Sequence, residues 1–137
     1  MRRLPDAIAA GLFAAVVSGV PSTVYALATR RDPLEATLAA GSLLVPNESR
    51  RVRLFLAAVP VHGAISLGWA LVLARMLPRQ PRALHGAVAG LAIAALDLGA
   101  IGRRFPRIRE LPVLPQLVDH ALYGATVAEV LRRRRVR

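Results

Sequence analysis

The 137-residue chain has no cysteine and no lysine, and its aromatic residues stop at one tryptophan, two tyrosines and three phenylalanines. Without cysteine there is no disulfide, no thiol nucleophile, no iron–sulfur cluster and no cysteine-ligated metal. All 19 basic residues are arginine, a usage that fits a GC-rich genome and carries little mechanism by itself. Acids number only 8, which leaves a formal net charge of +11. Such a charge raises the question of nucleic acid. The arginines, however, stand at segment ends rather than on one face, and aromatics are only 4% of the chain. Nucleic acid is therefore not expected as a partner. Also missing are a nucleophile motif, a phosphate-binding glycine loop and an HExxH pair, so no catalytic residue is assigned and the chain reads as a non-enzyme without cofactor or metal.

What the sequence does have is four long apolar blocks, about Ala7–Thr29, Val52–Leu77, Leu84–Gly102 and Val113–Leu131, divided by arginine clusters. Hydrophobic residues make up 55% and mean hydropathy is +0.46. A hydrocarbon core about 30 Å thick takes roughly 20 apolar helical residues. Each block comes near that length, and no soluble domain is left over. The expected fold is all-α: one domain over residues 1–137, a four-helix transmembrane bundle with a short interfacial helix between spans 1 and 2. Met1-Arg2-Arg3 ahead of an apolar stretch, with Ala26-Leu27-Ala28 behind it, has the outline of a signal peptide. The length of the stretch and Asp6 at its start favour a retained span instead.

Within the blocks, Pro21 is expected to kink helix 1, with Ser18, Ser22 and Thr23 as nearby hydroxyls for the freed carbonyl. Gly11, Ala15, Ser18 and Ser22 form one small-residue face there. Gly86, Gly90 and Ala94 form another in helix 3, with Asp97 on the same side. Between spans 1 and 2, Asp32-Pro33-Leu34-Glu35 reads as a helix start, with Asp32 as N-cap, and Gly41 as its stop. Arg-Arg-x-Pro follows both helix 1 (Arg30–Pro33) and helix 3 (Arg103–Pro106), a weak internal repeat.

Four ionisable residues inside the blocks, His62, Asp97, Asp119 and His120, are the candidate polar site, together with the kink region Ser18, Pro21 and Ser22. At 1.5 Å per residue, Pro21 and His62 lie about 14 Å deep, His120 about 12 Å and Asp97 about 9 Å, all from the same side. Ionisable groups in a span cost about 2.5–3.5 kcal/mol each on insertion scales, so they face partners or water. The leading reading is structural: Asp97 pairs with His62 or His120 and fixes helix register. Proton- or ion-coupled transport comes second, through carboxylate–imidazole exchange, and bis-histidine haem binding third.

The residues Gly11-Leu12, Ser18–Thr23, Val61-His62, Gly68-Trp69, Ala94–Gly99, Arg103–Pro106 and Asp119-His120 with Gly124 together resemble a group of small, uncharacterised four-helix membrane proteins of bacteria, actinobacteria in particular. That resemblance covers most of the chain outside the first loop. It implies a multi-pass protein of the bacterial plasma membrane and supplies no reaction. Implied partners are the bilayer, anionic headgroups at the arginine clusters, and a second copy or another membrane protein. Ten arginines fall on the side of the termini and nine on the other, so the positive-inside rule favours cytoplasmic termini only slightly.

Overall fold

The computed structural model describes residues 3–136. Arg2 and Arg137, which enter the charge tally, lie outside the described residues. The described chain is helical throughout, without strands. In order it runs α1 (Arg3–Val17), α2 (Val20–Ala28), α3 (Glu35–Gly41), α4 (Arg51–Met76), α5 (Ala83–Leu96), a π-helical turn (Asp97–Ile101), a 3-10 turn (Gly102–Arg104), α6 (Pro106–Arg109) and α7 (Val113–Val136).

Three of the resulting rods are long and apolar enough to cross a membrane: Leu4–Ala28 through α1 and α2, Arg51–Met76, and Ala83–Arg104. The expected fourth, α7, is not among them. Its 24 residues are long enough, but Gln116, Asp119, His120 and Glu129 dilute its apolar content. The fold resolves this by placement. Helix α7 packs against α1, α2, α4 and α5, so the most polar long helix is the most enclosed one. Its buried residues include Gln116, Tyr123, Gly124, Val127 and Leu131.

Size sorts the remaining residues in an unusual direction. The buried apolar set is mostly alanine, from Ala7, Ala10 and Ala14 in α1 to Ala70 and Ala74 in α4. Large apolar side chains point outward: Leu12, Phe13, Val16, Leu56, Val59 and Val88 are all exposed. A water-soluble bundle would bury those side chains. Small residues inside and large ones outside is what helix association in lipid selects, because close approach rather than water exclusion holds the helices.

The small-residue stripe expected in α5 is where backbones come closest. A Cβ added at Gly86 would sit 2.0 Å from the Gly124 carbonyl oxygen, and one at Gly90 would sit 2.0 Å from that of His120. No side chain larger than hydrogen fits either position. In the same way Gly41 lets α3 lie on α4, where a Cβ would stand 2.0 Å from the Leu54 carbonyl oxygen.

Both ends of the bundle are tied by ions. On the side of the termini, Arg134 pairs with Asp6 at 2.9 Å. Arg135 donates to the carbonyls of Ala74 and Pro78 at 2.7 and 2.9 Å, closing the end of α4. Glu129 holds Arg132 and Arg133 at 2.7 and 2.6 Å, the i+3 and i+4 pairs that the spacing predicts. At the opposite end Arg51 forms a bidentate pair with Asp32, Arg31 meets Glu35 at 2.9 Å, and Arg53 meets Glu48 at 3.1 Å.

One expectation about the first loop is corrected. Helix α3 begins at Glu35 with Leu34 at its N-cap and no side-chain cap. The Asp32 carboxylate instead accepts the Leu34 N–H at 3.0 Å in a local turn and is otherwise taken up by Arg51. Arg51 lies in the next helix, beyond the reach of a local capping rule. The Arg-Arg-x-Pro repeat does correspond to structure, since each copy leads into a short helix, α3 or α6, before the next long one.

Candidate functional site

Helix 1 is broken rather than merely kinked. Helix α1 ends at Val17, Gly19 serves as N-cap of α2, and Pro21 falls in the first turn of α2, where its missing N–H costs least. A break exposes orphan carbonyls on one side and orphan amides on the other. In an apolar interior each of these needs a partner.

Both sides find partners on other helices. The Ser22 N–H, in the first turn of α2, donates to Asp119 Oδ1 of α7 at 2.9 Å. Asp119 thus caps α2 from 97 positions away, and its negative charge meets the positive end of the helix dipole. On the other side, the carbonyl of Ala15, in the last turn of α1, lies 3.0 Å from His62 Nε2 of α4. That oxygen accepts, so His62 carries its proton on Nε2. The hydroxyls act locally: Thr23 Oγ1 donates to the Gly19 carbonyl at 2.8 Å and Ser22 Oγ to the same oxygen at 3.3 Å. Ser18 is buried beside them.

The next residue on α7 faces a different neighbour, as a step of about 100° around a helix requires. His120 Nε2 lies 3.5 Å from Asp97 Oδ2, and its Nδ1 lies 2.8 Å from the Gln116 carbonyl one turn back. Asp97 opens the π-helical turn, whose wide ring is closed by the Gly102 N–H bonding to the Asp97 carbonyl. The Asp97 and His120 side chains retain 22% and 21% of their exposure, so the pair is partly shielded rather than sealed.

The four candidate residues therefore do not form one cluster. The structure brings Asp97 and His120 together, sets Asp119 and His62 at the two sides of the helix break, and does not pair His62 with Asp97. Both ring nitrogens of His120 are engaged within the protein, as is Nε2 of His62. No group of three or more His, Asp or Glu side chains among the described residues is placed to hold a metal ion.

A further polar contact was not legible from residue types. Tyr123 Oη donates to the Ser66 carbonyl of α4. With it, α7 makes polar contacts to α2 through Asp119, to the π-helical turn after α5 through His120, to α4 through Tyr123 and Arg135, and to α1 through Arg134. Among the described residues no buried side-chain nitrogen or oxygen lacks a hydrogen-bond partner. The available signal was that α7 is the apolar block richest in polar side chains, which marks it for the centre of the bundle.

No protein-family model, no curated protein and no solved structure matches the chain.

Proposed function

We propose that the protein is a four-span, non-enzymatic membrane bundle of the bacterial plasma membrane, with both termini cytoplasmic, that works by binding a partner or a second copy rather than by moving a solute. The likeness to small four-helix bacterial membrane proteins belongs to this proposal. The enclosure of α7 supports a fourth span, because a helix sheltered by four others need not be apolar all round. One observation carries the functional part: the intramembrane polar groups are spent on holding the bundle together. Asp119 and His62 cap the break and His120 takes Asp97, so the polar layer fixes one arrangement of helices. Interhelical polar contacts of this kind contribute on the order of 0.6 kcal/mol each, up to 1–2.

The test is purification in mild detergent. A stable homo-oligomer or a co-purifying membrane protein is expected, unchanged in Asp97→Asn. A strictly monomeric protein without a partner contradicts the reading.

A second reading, proton- or ion-coupled transport, draws on a separate observation. Two irregular backbone segments, the Ser18–Gly19 break and the π-helical turn at Asp97, both lie against ionisable groups of α7. Discontinuous helices of this sort line transport sites in many carriers. Reconstituted vesicles decide between the two: a flux abolished by Asp97→Asn favours transport, and no flux across a broad solute panel favours the bundle.

A further inference from the structure

At the end of the bundle away from the termini, α3, the start of α4 and the α6 region enclose an open cleft of about 180 Å³. Three leucines stand in its lining: Leu38 of α3 and Leu54 of α4, both buried, and Leu111, in the loop between α6 and α7. Two of its charged pairs are closed on themselves, Arg51 with Asp32 and Arg31 with Glu35. Two other lining residues are not. Arg107 and Glu110, one turn apart on and just after α6, have no ion-pair partner among the described residues. The cleft therefore offers one open cation and one open anion, three positions apart in the chain. Its position is where the three apolar rods end, at Ala28, Arg51 and Arg104.

The geometry points to a binding site for the headgroup of a zwitterionic phospholipid bearing a primary ammonium, of the phosphatidylethanolamine type. Arg107 takes the phosphate as a charge-assisted donor. Glu110 accepts from the ammonium, and Leu111, the one lining leucine that is not buried, is the apolar contact for the glycerol carbons. A lipid is the source because the cleft opens at the ends of the apolar rods. A singly anionic headgroup uses Arg107 but leaves Glu110 facing a negative ligand. A quaternary ammonium supplies charge but no N–H for Glu110. Arginine clusters elsewhere on this face attract anionic lipid without such discrimination.

This inference rests on the membrane-bundle reading, which alkaline extraction of the membrane fraction tests separately. A protein that is extracted at high pH refutes the bundle, whatever the lipid result. The direct test is native mass spectrometry of the detergent-purified full chain, titrated with phosphatidylethanolamine, phosphatidylcholine and phosphatidylglycerol. Wild type is expected to retain phosphatidylethanolamine roughly tenfold more tightly than the other two, as one charge-assisted hydrogen bond allows. Glu110→Gln should erase the preference over phosphatidylcholine, and Arg107→Gln should weaken both. Because both side chains are exposed and make no ion pair among the described residues, neither change is expected to unfold the protein, which circular dichroism checks. Soluble glycerophosphoethanolamine should not compete at equal concentration. Equal retention of all three lipids, a preference for phosphatidylglycerol, a preference that survives both substitutions, or full competition by the soluble headgroup each overturns the assignment.

Discussion

Asp119 and Ser22 come together from the two ends of the chain to repair a broken helix, and the repair needs only an acceptor at one oxygen. Asp119→Ala leaves the Ser22 N–H unsatisfied away from water, at a cost of about 1–3 kcal/mol. Asp119→Asn keeps an oxygen in place and should cost less than half of that. Reversible denaturation in mixed micelles measures both, and equal losses in the two variants would show that charge, not capping, is what matters. Outside the apolar segments, the guanidinium of Arg51, with help from the Leu34 amide, holds the Asp32 carboxyl below the usual carboxylate range. The folded value is the lower one, so this pair contributes stability above the unfolded carboxylate value of about 3.9 and loses it as pH falls through the folded value. In Arg51→Gln the Asp32 midpoint should move upward, toward the ordinary value, when followed by carbon NMR of the side chain. An unmoved midpoint would mean the ion pair does not form.

At the scale of elements, the glycines divide into two kinds that sequence alone does not separate. Gly86 and Gly124 each face the other's backbone, with room for no added carbon. Either one changed to alanine should destabilise the bundle by about 1–3 kcal/mol, the usual range for overpacking. Gly63 and Gly68 in α4 have open space where a Cβ would go. Alanine there should be neutral or stabilising by up to about 1 kcal/mol, through helix propensity. Thermal denaturation of the four variants checks the contrast, and similar losses at all four would refute the α5–α7 packing.

The same elements show how far the sequence was legible. Runs of apolar residues between arginines set the long helices to within a few residues, and the Gly86, Gly90 and Ala94 stripe marked the face that is buried. Pro21 marked helix 1 for a kink, but neither the full break at Gly19 nor its partners were visible: capping by Asp119 and His62 joins distant helices, and half of each contact is a backbone group that every residue carries. Asp97, with two histidines eligible as partners, was assigned only by the rotation of α7. Arg51 took Asp32 from its expected capping role for the same reason, since tertiary pairing overrode a local rule.

For the molecule as a whole, the topology turns on α7. If α7 crosses the membrane with the other three rods, Val136 returns to the side of Arg79, as the Asp6–Arg134 pair requires. If only the three apolar rods cross, the chain end lies on the side of Ser49 instead. Because the chain has no cysteine, single cysteines report topology without a background to remove. The most direct measurement is labelling of Ser49→Cys, Arg79→Cys and Val136→Cys in intact cells with a membrane-impermeant maleimide. The four-span bundle predicts that only Ser49→Cys reacts from outside and that Arg79→Cys and Val136→Cys react together after lysis. Labelling of Val136→Cys together with Ser49→Cys, and apart from Arg79→Cys, would contradict it.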